Sequence, residues 1–167
     1  MFSLILGGNK SGKSSLALEL AGQEDQPPLL VVTGKARDFE FQRQIFLHKQ
    51  DRDREVTVVE SGPDLGRCLE SMTISPRPLV IDSIDFWVFT VYNRQEPQSY
   101  IENFFKAVSS RKGQRFIFVS CEVGLGPLPA DKSTRNFVRM LGSLNQRLAR
   151  ECDEVMLVAA GLPVKIK

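Results

Sequence analysis

The stretch Gly7–Ser14 reads GGNKSGKS and matches the pattern GxxxxGK[ST], in which x is any residue. It follows the apolar run FSLIL and precedes a segment that favours a helix, which is the context this pattern requires. Glycines let the backbone turn its N–H groups toward phosphate oxygens, and the helix start adds favourable partial charge. The stretch therefore predicts a phosphate-binding loop. A glycine turn with an incidental lysine and serine is the alternative.

Short apolar segments with β-branched residues alternate with longer mixed segments along the whole chain. Such alternation predicts an α/β fold around a mainly parallel sheet that is buried on both faces. The expected strands are FSLILGG, PLLVVTG, EVTVVES, RPLVIDS, RFIFVSC and DEVMLVAAG. The expected helices are Ser14 to Leu20, Asp38 to Lys49, Pro63 to Met72, Ser99 to Ser110 and Thr134 to Arg150.

The composition is that of an ordinary globular protein, and the 167 residues fit a single domain over residues 1–167. No apolar run approaches the roughly 18 residues of a membrane span. The net charge of +2 is too small to indicate a nucleic-acid partner. Cys68, Cys121 and Cys152 lack a CxxC spacing, which indicates reduced thiols rather than disulfides or zinc ligands. We therefore expect a cytoplasmic protein.

A nucleoside triphosphate site also needs groups that hold the phosphates and Mg²⁺. Lys13 is expected to reach the β- and γ-phosphates, and Ser14 to bind Mg²⁺. Asp82 follows the apolar run RPLVI and is the natural acidic partner for the metal. The alternative is that Asp82 caps the helix that follows it. Asp85, about one helical turn further on, is a weaker candidate for the same site.

The sequence contains a single histidine, His48, in the stretch IFLHKQDR. On the second expected helix it shares one face with Phe41 and Ile45, which favours a packing role. Lys49 and Arg52 follow closely, but a basic cluster is more often a solvated face than part of a site. Composition and periodicity leave both a structural and a reactive histidine open.

Several motifs beyond the phosphate loop are more specific. Glu40 precedes His48 by eight residues, His48 and Arg52 form H-x-x-x-R, and Glu60 follows a strand. DSIDFW at 82–87, EVGLGPLP at 122–129, GSLNQRLA at 142–149 and the ending DEVMLVAAGLPVKIK complete the set. Together they resemble the adenosylcobinamide kinase / adenosylcobinamide-phosphate guanylyltransferase family of cobalamin biosynthesis, over nearly the whole chain.

The resemblance implies a bifunctional enzyme. It would phosphorylate adenosylcobinamide, transfer GMP from GTP to adenosylcobinamide phosphate and release pyrophosphate, with His48 matching the histidine that carries GMP. It also implies a compact P-loop fold related to the RecA core, and commonly a homotrimer.

The resemblance adds His48 as the catalytic nucleophile to Lys13 and Asp82, the catalytic candidates from the loop motif, and Ser14 and Asp82 remain the expected Mg²⁺ ligands. Contacts to the nucleotide, GTP and/or ATP, are implied for Gly7, Gly8, Asn9, Lys10, Ser11, Gly12, Lys13, Ser14, Val32, Thr33, Gly34, Lys49, Gln50, Asp51, Arg52, Glu60 and Asp82.

The chain departs from the family's usual residues at five positions. Arginine is usual at Lys10 and Gln44, threonine at Asp85, asparagine at Thr90, and a polar residue at Cys121. Two other functions fit the phosphate loop. The chain could be a P-loop kinase of another small metabolite, with a structural His48, or a GTP-binding regulatory module that transfers nothing.

Overall fold

The computed structural model describes residues 1–33, 56–127 and 129–167. Its seven strands form one sheet in the order β3-β2-β4-β5-β1-β6-β7. All neighbouring strands are parallel except β6 and β7, which confirms the predicted α/β fold with a mainly parallel sheet. The strands are β1 Phe2–Gly7, β2 Leu29–Val32, β3 Thr57–Glu60, β4 Leu79–Asp82, β5 Phe116–Cys121, β6 Glu154–Ala159 and β7 Leu162–Lys165.

The six expected strands are confirmed, whereas β7 was not predicted. Its four residues include Pro163, and proline argues against a central strand because it lacks an N–H donor. β7 is an edge strand that pairs only with β6, so a proline is tolerated there. The hairpin between β6 and β7 turns on Ala160 and Gly161.

Four of the expected helices are present in the described ranges, and the fifth, Asp38 to Lys49, lies outside them. Asp64 and Asp131 cap two of them, because their carboxylates accept hydrogen bonds from the N–H groups of Arg67 and Thr134. A helix after Asp82 was expected from the sequence without defined ends, and it corresponds to α3. The helices are α1 Lys13–Ala21, α2 Leu65–Ser71, α3 Ile84–Tyr92, α4 Pro97–Ser109 and α5 Lys132–Glu151.

Both faces of the sheet are covered by apolar side chains. On one face, α1 packs Ala17, Leu18 and Ala21 against the strands. The larger cluster on the other face joins the strands to α2, α3, α4 and α5 and includes the fully buried Trp87. Because the sheet is packed on both sides, the carboxyl ends of β1, β4 and β5 are fixed beside one another.

Candidate active site

The phosphate loop begins where β1 ends, at Gly7. A Cβ at Gly7 would lie 2.4 Å from the carbonyl oxygen of Val158 and 2.6 Å from Oγ of Ser11, so only glycine fits there. Gly12 and Lys10 have φ values of 99° and 55°, in the left-handed region. These conformations fold residues 7–12 back onto the start of α1, as the motif predicts.

Lys13 lies inside the loop, with only 8% of its surface exposed. Its Nζ donates to the carbonyl oxygen of Gly8 at 2.6 Å, which holds the ammonium over the loop. Oγ of Ser11 is buried and has no hydrogen-bond partner in the described part of the chain. A buried hydroxyl without a partner costs free energy, and a phosphate oxygen would supply the missing acceptor. The loop therefore fits a phosphate group.

Asp82 ends β4 and is 3% exposed. Burial raises its pKa from 3.8 to about 6, although hydrogen bonds from the Ser14 hydroxyl and the Ser83 N–H act in the opposite direction. Asp82 and Ser14 are thus in contact, and a carboxylate with a hydroxyl fits the oxygen ligands that Mg²⁺ prefers. The N-cap position of α3 is occupied by Ser83, which makes no side-chain capping hydrogen bond, so Asp82 is not the N-cap residue of this helix.

The first turn of α3 contacts the end of β5. Oδ1 of Asp85 accepts a hydrogen bond from the backbone N–H of Cys121 at 3.2 Å. The Cys121 thiol also interacts with the Asp85 carboxylate and the Lys13 ammonium. Burial, followed by the negative charge of Asp85, raises the pKa of Cys121 to about 11, so the group is a neutral thiol. Asp85 and Cys121 therefore touch each other beside the loop lysine.

Sequence reasoning missed this contact. Asp85 and Cys121 are 36 positions apart in the sequence, and no spacing rule joins them. The available signal was that Asp85 closely follows one predicted strand and Cys121 ends another, because the carboxyl ends of parallel strands meet at one edge of a sheet.

The other candidate residues at this edge come from β2 and β3. Val32 pairs with Glu60 on one side and with Asp82 on the other. Thr33 is buried, and its hydroxyl donates to the carbonyl oxygens of Asp82 and Ser83, so that hydroxyl is engaged by the backbone. Glu60 is exposed. Six candidates lie outside the described residues, namely Gly34, His48, Lys49, Gln50, Asp51 and Arg52.

A glycine loop, a buried lysine and an acid on a nearby strand of a parallel sheet define a P-loop nucleotide-binding protein. The model of the cobinamide kinase / cobinamide phosphate guanyltransferase family matches residues 3–166, and the chain belongs to this family.

Two curated relatives cover the chain from end to end. The bifunctional adenosylcobalamin biosynthesis protein CobP of Pseudomonas aeruginosa is 33% identical over 170 residues, which span 100% of this chain and 98% of that protein. The bifunctional adenosylcobalamin biosynthesis protein CobU of Escherichia coli is 30% identical over 188 residues, with 100% of both chains covered.

Solved structures of low identity share the fold. The flagellar accessory protein FlaH from Methanocaldococcus jannaschii has a TM-score of 0.59 at 13% identity, covering 99% of this chain and 77% of its own. The RadB recombinase has a TM-score of 0.54 at 16% identity, and the match covers 93% of this chain and 73% of the RadB chain. The architecture is therefore that of RecA-like P-loop proteins.

Proposed function

We propose that this protein is a bifunctional kinase and guanylyltransferase of cobalamin biosynthesis. It phosphorylates adenosylcobinamide and then transfers GMP from GTP to adenosylcobinamide phosphate, with release of pyrophosphate. The observation that carries the proposal is the contact of buried Asp82 with Ser14 beside Lys13, in a chain of this family. This arrangement suits polyphosphate chemistry at one loop that serves both transfers.

In the kinase step, the hydroxyl oxygen of the aminopropanol arm of adenosylcobinamide attacks the γ-phosphorus, the bond to the β-phosphate oxygen breaks, and the nucleoside diphosphate leaves while the hydroxyl proton is released to solvent. The loop N–H groups and Lys13 hold the phosphates and offset their negative charge. Ser14 and Asp82 would hold Mg²⁺, which neutralises charge on the phosphate oxygens when it is bound. Glycine at positions 7 and 12 keeps the backbone close enough to make these contacts.

In the guanylyl step, a neutral nitrogen of His48 attacks the α-phosphorus of GTP. The bond to the pyrophosphate oxygen breaks, and GMP remains on the histidine. A phosphate oxygen of adenosylcobinamide phosphate then attacks the same phosphorus, and the N–P bond breaks to regenerate His48. Lys13 offsets the charge of the leaving pyrophosphate, and Lys49 or Arg52 that of the α-phosphate. The roles of residues 48–52 rest on the family resemblance.

The proposal also covers the small molecules that the protein binds, its location and its assembly. GTP, with ATP as an alternative donor for the kinase step, and Mg²⁺ are the small molecules that the loop would bind. Gly34, Val32, Thr33 and Glu60 complete the nucleotide site by resemblance. The enzyme works in the cytoplasm, where these nucleotides occur, and assembles as a homotrimer. No helix in the described ranges has the length and apolar character of a membrane span.

Product analysis tests the proposal. The protein is incubated with Mg²⁺, adenosylcobinamide and either ATP or GTP, and the corrinoid is followed by mass spectrometry. We expect a corrinoid that gains a phosphoryl group with the preferred donor, and then a GMP group only with GTP, with pyrophosphate released in equal amount. Phosphorylation without guanylylation would show that the protein is only a kinase. No change in the corrinoid would indicate a nucleotide-binding module without transfer activity.

A further inference from the structure

Four large apolar side chains are exposed on the two segments that leave the carboxyl ends of β4 and β5. Phe86 and Phe89 on α3 are each 57% exposed, and Val123 and Leu125 after β5 are 40% and 79% exposed. We call these four residues the apolar rim. Single exposed apolar residues are ordinary, but several at the mouth of one site mark a binding surface.

The fold brings the two halves of the rim to the same place. Asp85 immediately precedes Phe86, and its carboxylate accepts a hydrogen bond from the N–H of Cys121, two residues before Val123. The first turn of α3 is therefore attached to the end of β5. Both halves consequently border the edge that holds Lys13 and Asp82.

The aromatic half of the rim is firmly supported. The opposite face of α3 is buried through Trp87, Val88 and Val91, so Phe86 and Phe89 point outward. The ring of Phe89 packs edge-on against Phe137 of α5, with 5.7 Å between centroids. The rim thus presents preformed aromatic surface, which binds apolar ligands at a low cost in conformational entropy.

We propose that the apolar rim binds the corrin macrocycle of the substrate, an inference that rests on the proposed function. The acceptor hydroxyl must reach the phosphate held near Lys13 and Asp82, so the macrocycle must lie within one side arm of that point. Phe89 is five residues beyond Ile84, the first residue of α3, which is a rise of about 8 Å along the helix axis. Ligands of open α/β sheets bind outside the carboxyl ends of the strands, which is where the rim lies.

Shape and charge both suit this ligand. The edge of a corrin ring is rich in methyl and methylene groups, which favour aromatic and aliphatic contacts over water. Adenosylcobinamide carries a positive charge, and the acidic residues Asp85 and Glu122 adjoin the two halves of the rim.

Substitutions in the rim test the proposal, because they should weaken binding of adenosylcobinamide and leave binding of GTP unchanged. The variants are Phe86→Ser with Phe89→Ser, and separately Leu125→Ser, which changes only an exposed loop residue. Ile74→Ser is the matched control, since Ile74 is 64% exposed and precedes β4 at the opposite edge of the sheet. The measurements are KM for adenosylcobinamide, KM for GTP, corrinoid binding by visible absorbance after equilibrium dialysis, and oligomer mass by light scattering.

We expect the double variant to raise the KM and the dissociation constant for adenosylcobinamide at least about tenfold, as removal of central aromatic contacts does. Leu125→Ser should raise them by a smaller factor. The KM for GTP, formation of a GMP–protein adduct without corrinoid, and the oligomer mass should stay unchanged, and Ile74→Ser should behave as wild type.

Three results would overturn the proposal. Unchanged corrinoid binding in both rim variants would show that the macrocycle lies elsewhere. A lower oligomer mass that accompanies the loss of binding would show that the rim is an interface between copies of this chain. Failure of the wild-type protein to bind adenosylcobinamide would refute the proposed function as well, whereas a wrong rim assignment leaves the wild-type enzyme active.

Discussion

The backbone N–H of Gly161 donates to the carbonyl oxygen of Ser11 at 2.9 Å, so the last hairpin is bonded to the phosphate loop. Ala160 and Gly161 have φ values of 52° and 82° and connect the paired residues Ala159 and Leu162. Positive φ at both central residues defines a type I′ hairpin. The C-terminal hairpin therefore supports the loop that would hold the nucleotide.

Two substitutions in this turn should differ in the backbone strain that they introduce. Gly161→Ala places a Cβ on a left-handed residue, which should lower the free energy of unfolding by about 1 kcal/mol and raise the KM for GTP. Ala160→Asn should raise the free energy of unfolding by about 0.5 kcal/mol and leave the KM unchanged, because asparagine tolerates this conformation. Urea unfolding and initial rates measure both. Equal KM values in the two variants would show that the hairpin does not support the loop.

Lys13→Ala should abolish both transfers. One ammonium offsets phosphate charge in either reaction, and loss of such a preorganised group typically costs about 3 kcal/mol in the transition state, or a factor of at least about 100 in rate. Phosphorylation and guanylylation rates at saturating GTP measure the effect. Lys106→Ala, which removes the same charge from the exposed face of α4, is the control. A Lys13→Ala protein with a near-normal kinase rate would contradict the role of the loop.

Asp82→Asn should reduce activity and increase stability. The unfolded-state pKa of 3.8 lies below the folded-state value of about 6, because burial disfavours the carboxylate. Above pH 6 the folded protein carries the full cost of the buried charge, about 3 kcal/mol. As the pH falls through 6 toward 4, the folded carboxyl takes up its proton and this cost disappears. The amide replaces only part of the hydrogen bonds, so the net gain at pH 7.5 should be on the order of 1 to 2 kcal/mol.

Chemical unfolding in EDTA, without nucleotide, at pH 7.5 and pH 4.5 measures this difference. Asp82→Asn should be the more stable protein at pH 7.5, with a smaller advantage at pH 4.5, and its transfer rates should lose their Mg²⁺ response. Lower stability than wild type at pH 7.5, with a normal Mg²⁺ response, would make Asp82 a structural residue.

The strand pattern and the phosphate loop were predictable because each depends on neighbours in the sequence. A run such as RPLVIDS is apolar throughout, as a strand buried on both faces must be, and GGNKSGKS fixes its own turn. The positions of Asp82 after a strand and of Ser14 in the loop motif likewise predicted that the two residues share one site. The local pattern did not predict β7, because Pro163 is acceptable only in a strand at the edge of the sheet.

Contacts between distant segments were not predictable. The pair Asp85 and Cys121, and the bond from Gly161 to Ser11, depend on which strand ends lie side by side, and the order of strands in the sheet is set by packing. The apolar rim was hidden for a related reason, since Phe86 and Trp87 are adjacent large aromatics and only the orientation of α3 decides which is buried. The role of His48 rests on family resemblance.

The most direct test of the covalent mechanism is the intact mass of the protein after incubation with GTP and Mg²⁺ in the absence of corrinoid. We predict that the wild-type chain gains the mass of one GMP group, which is lost in mild acid and retained in base, as expected for a bond between phosphorus and an imidazole nitrogen. His48→Ala should gain no mass, because the chain has no other histidine, yet should still phosphorylate adenosylcobinamide. A wild-type protein that gains no mass while it guanylylates its substrate, or a His48→Ala protein that is labelled at the wild-type rate, would contradict transfer through His48.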